Sequence, residues 1–203
     1  MKNKKLEISI ILDFVCPYCF VSEKILEEVL TKLKIEPTFK FLPYELSPSP
    51  DPQTVIGEEK LEYFKKNIEG WAKKENIKIN FNSLSPRPRT SLAFEGLYLA
   101  EKYGKGIQYI RAILDAYWLN NKDIGSIETL VEISEKNNIP KEEMKEVLIS
   151  GKYREVHRTL NEKVSDFDFE VVPTFYLNEN QIKEFPRDMI TWEEVILNSW
   201  FIK

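Results

Sequence analysis

The sequence predicts an α/β fold. A four-stranded mixed sheet is flanked by helices, and a block of further helices is inserted into the middle of the chain. Three observations predict it. From Leu6 to Leu42 the hydrophobic pattern runs from strand to helix and back to strand. From Val171 to Trp200 it gives two short strands and a closing helix. From Thr90 to Ser165 it stays helical with only short interruptions.

The elements follow in order. Leu6 to Phe14 is rich in apolar and β-branched residues and reads as a buried strand. Behind Cys16, Val21, Ile25, Leu26, Val29, Leu30 and Leu33 recur at three- and four-residue steps, an amphipathic helix reaching about Lys34. Pro17 suits its first turn, where a missing N–H costs nothing. Thr38 to Leu42 alternates as a second strand. A strand–helix–strand order implies parallel strands with a right-handed crossover.

Pro43 to Pro52 carries Pro43, Pro48, Pro50 and Pro52 and reads as a loop. Glu58 to Ile77 is a charged helix with Leu61, Phe64, Ile68 and Trp71 on one face. Asn80 to Arg89 is irregular, with Pro86 and Pro88. Helices are expected at Thr90–Tyr103, Ile107–Leu119, from an N-cap at Ser126 to about Lys136, at Lys141–Ile149, and at Tyr153–Ser165. Val171 to Leu177 is a third strand containing Pro173. Asn178 to Asn180 turns into a short fourth strand, Gln181 to Lys183, and Asp188 to Trp200 closes the chain as a helix. Residues 1–53 and 166–203 therefore form the sheet domain, and residues 54–165 the helical insertion.

A chain of 203 residues, 42% hydrophobic, suffices for one such domain. Lys plus Arg is 29 and Asp plus Glu is 33, a net charge of −4 that gives no electrostatic reason to expect nucleic acid. Lys2, Lys4 and Lys5 precede an apolar run as in a signal peptide. Glu7 and Asp13 interrupt that run, no small-residue cleavage site follows, and it is too short to span a membrane. The expectation is a cytoplasmic protein without membrane contact. In a reducing compartment its two cysteines are not expected to form a static disulfide.

Those cysteines are spaced as Cys16-Pro17-Tyr18-Cys19, at the point where the first strand stops and the first helix starts. Residues i and i+3 share a helix face, with Cα atoms roughly 5–6 Å apart, within disulfide reach. The N–H groups and dipole of a helix N-terminus favour a thiolate at Cys16, the attacking species. Cys19, one turn in, is expected to be the more buried, resolving thiol. Zinc is the first alternative, but tetrahedral zinc takes four ligands, and the chain offers no second cysteine pair and one histidine. Two inert packed cysteines are the other; the Pro-Tyr insert and the strand-to-helix position argue against them. Pro173 in Val172-Pro173-Thr174 opens an otherwise strand-like segment, a position that tolerates proline, particularly with a cis bond.

Taken together, Asp13-x-x-Cys16-Pro17-Tyr18-Cys19, the loop Leu42-Pro43-Tyr44-Glu45-Leu46-Ser47-Pro48, and Val172-Pro173-Thr174-Phe175 resemble the DsbA superfamily, in particular its FrnE-like branch. The resemblance covers nearly the whole chain. It implies a thioredoxin-like fold and thiol–disulfide oxidoreductase or isomerase activity, with Cys16 as nucleophile and Cys19 as resolving thiol. It also implies a cis Val172–Pro173 bond beside Cys16. Pro17, Tyr18 and the Val172 backbone would meet an extended substrate strand. The implied partners are a thiol- or disulfide-containing protein, peptide or small disulfide, and a cellular reductant or oxidant. No bound cofactor or metal is implied, although glutathione could serve as co-substrate. The family's periplasmic oxidant has histidine where this chain has Tyr18. Loss of that donor predicts a potential on the reducing side of the range from about −120 mV for DsbA to about −270 mV for thioredoxin. The glycines usual before Val-Pro are replaced by Asp168 and Val171, and Glu184-Phe185-Pro186 replaces a run of small residues.

Two rivals stay open. One is a glutathione-dependent enzyme of the kappa-transferase or 2-hydroxychromene-2-carboxylate isomerase type, against which Cys19 speaks. The other is a chaperone-like binding module with a redox-sensing thiol pair. Asp13 reads as a strand-end cap or as proton acceptor for Cys19. Arg87 and Arg89 read as solvated loop charges, or as groups approaching the site or an acidic substrate. His157 reads as a surface or half-buried helix residue. Tyr98, Tyr109, Tyr117 and Trp118 read mostly as core, with one or two lining a groove over Cys16.

Overall fold

A computed structural model of the chain describes residues 5–81 and 86–201. Lys2, Lys4 and residues 82–85 of the second proline-rich stretch lie outside the described residues. The sheet comprises β1 (Glu7–Leu12), β2 (Thr38–Pro43), β3 (Thr174–Leu177) and β4 (Asn180–Gln181), in the order β2-β1-β3-β4. β1 runs parallel to β2, with Ile8 opposite Phe39 and Ile10 opposite Phe41. It runs antiparallel to β3, with Ile10 opposite Phe175.

As the central strand, β1 is buried on both sides, which explains its nearly unbroken apolar run. Ile8, Ile10 and Leu12 enter the main core, while Ile11 packs with Leu42 and Val164 on the opposite face. The helix α1 (Pro17–Leu33) packs beside the closing helix α9 (Met189–Phe201). It ends at Lys34, which takes the left-handed conformation (φ 55°) and lets the Ile35 N–H reach the Leu30 carbonyl. Between β3 and β4, Asn178 (φ 48°) and Glu179 (φ 71°) form a two-residue hairpin turn. Positive φ at both turn residues matches the right-handed twist of the strands. Asn178 also accepts the Glu7 N–H and donates to the Ser199 carbonyl, tying the hairpin to β1 and α9.

The inserted region contains α2 (Glu58–Phe64), a five-residue π-helical segment (Lys65–Glu69), α3 (Gly70–Lys74), α4 (Ser91–Lys102), α5 (Gly106–Trp118), α6 (Ile127–Lys136), α7 (Lys141–Ser150) and α8 (Arg154–Val164). The expected helix over Glu58–Ile77 is thus interrupted by a π segment and stops at Lys74. Ser126 caps α6, accepting the Thr129 N–H. The third strand starts at Thr174, three residues later than the pattern suggests, because Pro173 has no N–H for the ladder. The fourth is confined to Asn180–Gln181. Among the described residues the Ser49–Pro50 and Val172–Pro173 bonds are cis.

One core cluster runs from β1 and α1 into α4, α5, α6 and α7. Gly96 on α4 sits in close contact within it. A Cβ there would lie 2.3 Å from Tyr109 Oη and 3.2 Å from Met144 Sδ. Tyr109 is fully buried, and its hydroxyl finds no hydrogen-bond partner among the described residues. An unpartnered buried hydroxyl costs about 1–3 kcal/mol. Tyr109→Phe is therefore expected to stabilise the protein by about 1 kcal/mol. Gly96→Ala alone should destabilise it by ~2 kcal/mol through overpacking, and less in the Tyr109→Phe background. Urea midpoints at constant m-value measure both effects; additive effects of the two changes would refute the contact.

Candidate active site

The site is built where β1 gives way to α1. Asp13 follows the strand, and the Cys16 N–H donates to the Asp13 carbonyl (3.2 Å), closing a tight turn. Cys16 is extended (φ −90°, ψ 117°) and occupies the N-cap position of α1, with Pro17 as its first residue. Its carbonyl accepts the Phe20 N–H (3.3 Å). Cys19 therefore lies on the first turn. Trp118 Nε1 donates to the Phe14 carbonyl (2.9 Å), and its ring packs against Phe20, so α5 holds the turn from behind.

Both cysteines are free thiols and both are nearly closed off, Cys16 at 5% and Cys19 at 3% exposure. Burial barely separates them; electrostatics does. The Cys19 thiol, hydrogen-bonding toward the Cys16 sulfur, is the largest influence lowering the Cys16 pKa. Burial opposes it, and the Cys19 and Tyr18 backbone amides assist. Cys19 is pushed well above the ordinary thiol value, first by burial and then by the Cys16 sulfur. In its protonated form Cys16 donates to the Val172 carbonyl (3.4 Å), 156 positions along the chain. This brings the Cys16 sulfur to the Val172–Pro173 segment.

Asp13 is 1% exposed. Its Oδ2 accepts the Leu46 N–H (2.7 Å), while Oδ1 is buried without a hydrogen-bond partner among the described residues. Burial raises its pKa from 3.8 to about 6, against the lowering effect of the Leu46 N–H. No acidic residue stands in the first turn of α1.

Tyr18 is half-buried in an aromatic wall. Its ring lies 6.2 Å from that of Trp71, and Trp71 meets Phe185 edge-on at 5.8 Å. Burial, then Tyr63, raises the Tyr18 phenol pKa. Trp71 Nε1 donates to the Arg187 carbonyl. Adjoining Pro173 is a cavity of about 330 Å³ lined by Phe169, Val171, Phe175, Ile182 and Phe185, among others. The residues replacing the expected glycines are accommodated: the Asp168 carbonyl accepts from Tyr176 Oη and Gln181 Nε2, and Val171 is exposed.

Several expectations change. His157 is 3% exposed, its Nε2 2.7 Å from Glu45 Oε1 and its ring stacked on Phe94. The sequence hid this because α8 is strongly charged and its apolar face is narrow. Arg87 is buried rather than solvated, with its guanidinium 5.5 Å from the Phe64 ring and its N–H on the Thr54 carbonyl. Arg89 donates to the Ser47 and Asp51 carbonyls. Both arginines brace the proline-rich loops. Tyr109, Tyr117 and Trp118 are core, and Tyr98 packs on Tyr153 and His157. The aromatics beside Tyr18 are instead Trp71, which spacing placed on the inner face of the charged helix, and Tyr63, which spacing did not single out. Among the described residues no group of His, Cys, Asp or Glu is placed to hold a metal, and no helix is long and apolar enough to cross a membrane.

A family profile described as DSBA-like thioredoxin domain matches residues 7–191. The uncharacterized protein YwbO of Bacillus subtilis is 33% identical over 178 residues, covering 86% of this chain and 88% of the relative. Among solved structures, a probable DsbA oxidoreductase from Streptomyces coelicolor superposes with a TM-score of 0.80 at 18% identity, covering 98% of this chain and 91% of its own. The cytosolic disulfide reductase DsbM from Pseudomonas aeruginosa, solved with GSH, has a TM-score of 0.71 at 13% identity, covering 97% and 100%. At such identities these structures speak for the fold, a four-stranded mixed sheet with an added helical region. By profile and relative together, this chain belongs to the DSBA-like thioredoxin domain family.

Proposed function

We propose that the protein is a cytoplasmic thiol–disulfide oxidoreductase working through the Cys16–Cys19 couple. The observation that carries this reading is the placement of Cys16 at the N-cap of α1, one turn from Cys19, with its sulfur 3.4 Å from the Val172 carbonyl next to Pro173. Cys16 is the nucleophile: its thiolate attacks a disulfide, forms a mixed disulfide and expels one sulfur as a thiolate. Cys19 then attacks the Cys16 sulfur, expels the second substrate thiolate and leaves the Cys16–Cys19 disulfide, which a cellular thiol reduces. Asp13 accepts the proton of Cys19. Pro17 and Tyr18 border the substrate on one side. On the other, Val172 pairs its backbone with an extended substrate and Pro173 fixes that segment against the sulfur.

The direction of electron flow follows from what surrounds Cys16. The largest influences on its sulfur are the Cys19 thiol, burial and the Cys19 and Tyr18 amides, and the Asp13 charge works against the thiolate. A less stabilised thiolate makes the dithiol the better electron donor. The couple is expected to lie nearer thioredoxin's potential of about −270 mV than DsbA's of about −120 mV. Glutathione fits as the co-substrate that reduces it, a reading supported by the likeness to DsbM, which was solved with GSH.

Equilibration of the protein in glutathione redox buffers, with the Cys16–Cys19 fraction read by alkylation and mass spectrometry, measures the potential. Parallel turnover of a peptide disulfide tests the activity. A potential near about −120 mV would reverse the assigned direction. Tight glutathione binding with no disulfide turnover would instead identify a glutathione-dependent isomerase or transferase.

A further inference from the structure

The loop after β2 connects the redox site to α8. Glu45 in this loop is 9% exposed. Its backbone N–H donates to Asn161 Oδ1 (2.8 Å), and its carboxylate Oε1 lies 2.7 Å from His157 Nε2. His157 and Asn161 are four positions apart on α8 and so project from one face. They hold Glu45 at both its backbone and its side chain. Glu45 Oε2 is buried without a hydrogen-bond partner among the described residues.

The residues on either side of Glu45 complete the connection. Tyr44 donates its N–H to the Leu12 carbonyl (3.0 Å). Leu46 donates its N–H to Asp13 Oδ2 (2.7 Å). The peptide carrying Glu45 is thus fastened to α8 on one side and to the end of β1 on the other. A second contact runs parallel to it. The His157 ring stacks on Phe94 at 5.2 Å, and Phe94 meets Phe14 at 4.6 Å, between Asp13 and Cys16. A nearby like charge in a buried site raises a carboxyl's proton affinity, and the Glu45 charge raises that of Asp13.

We propose that Glu45, clamped by His157 and Asn161 of α8, is a positioning residue of the redox site that acts on the thiol pair through Leu46 and Asp13. The proposal rests on the thiol–disulfide reading above for its consequence, but not for its geometry. His157 serves the clamp as an Nε2–H donor to Glu45, with Tyr98 Oη 3.2 Å from Nδ1. The other titratable or charged groups facing the cluster are Asp13 at the end of β1, Glu95 and Tyr98 on α4, and Arg154 on α8, whose Nε is 3.8 Å from Glu95 Oε1.

Two substitutions act on Asp13 with opposite sign. Glu45→Gln keeps an acceptor for His157 and removes the neighbouring charge, so Asp13 should ionise at lower pH. Asn161→Ala changes no charge but frees the Glu45 backbone, slackens the Leu46 N–H against Asp13, and should raise the pH at which Asp13 ionises. Carboxyl ¹³C NMR titration of the intact protein reads both, with the Asp13 resonance assigned by its loss in Asp13→Asn. Shifts of at least ~0.5 pH unit in opposite directions are expected. The acid limb of the disulfide-exchange pH profile should follow them. No shift in either variant, or shifts of the same sign, would overturn the proposal, since a merely structural role would lower Tm without sorting the two by sign. A wild type that lacks exchange activity would overturn the functional reading, while the NMR shifts would still decide the clamp.

Discussion

Cys16→Ser is expected to bring disulfide reduction down to the uncatalysed background, whereas Cys19→Ser should retain attack and accumulate a mixed disulfide. Serine places a hydroxyl, which does not ionise at neutral pH, where the thiolate must form. The N–H groups of Tyr18 and Cys19 then have no anion to stabilise. Cys19 is different because its proton is held in place by the first sulfur. Burial, the hydrogen bond to Cys16 and the charge of Cys16 all push its pKa up. Once Cys16 is bound to substrate sulfur it is no longer an anion, and the second and third of these influences disappear. Cys19 is therefore released for ionisation only after Cys16 is engaged, which orders the two half-reactions. Mixing each variant with a peptide disulfide and weighing the product distinguishes them. An adduct on Cys16→Ser, or none on Cys19→Ser, would exchange the roles assigned here.

The strand–helix–strand start, the helical block and the closing hairpin and helix were legible because each rests on a local period or a local turn signal. β1 announced its central place by being apolar on both faces, and the cysteine pair was visible because both residues sit on one turn. What local pattern could not carry was long-range pairing of polar side chains. His157 looked like one more polar position on a charged helix, yet it is buried against a carboxylate 112 positions away. Arg87 lies in a stretch whose prolines argue for a solvated loop, but Gln53, 34 positions away, and the adjoining Thr54 close over it. Trp71 read as the inner face of a long helix; the π segment before it sets the phase of α3, and its ring lies beside Tyr18. In each case the deciding contact joins segments that only the tertiary fold brings together.

Asp13→Asn is expected to make the protein more stable at neutral pH and a slower enzyme. Asp13 ionises at about 6 in the folded protein against an ordinary value of 3.8. Between those values the folded state keeps a proton that the unfolded chain has lost. Stability from this group is therefore full below about pH 4, declines as the pH rises through 6, and then levels off. At about 1.4 kcal/mol per pH unit, the ionised carboxylate costs the folded state ~3 kcal/mol at pH 7.5. Asparagine keeps an oxygen for the Leu46 N–H and carries no charge. Its amide nitrogen lands where Oδ1 now lies without a partner, which offsets about 1 kcal/mol. The net expectation is a gain of ~2 kcal/mol at pH 7.5, and no gain, or a small loss from that amide, at pH 4. Urea unfolding at the two pH values, with excess dithiothreitol to keep the thiols reduced, gives the comparison. The same change removes the proton acceptor of Cys19, so release of the mixed disulfide should slow by at least ~10²-fold, the lower end for a positioned acid–base group. The two effects share one cause: the buried carboxylate that destabilises the fold at neutral pH is also the one whose charge acts on the resolving thiol. A variant that is destabilised at pH 7.5 would show that Asp13 is a structural cap, and one that is stabilised but undiminished in rate would assign the proton of Cys19 to another acceptor.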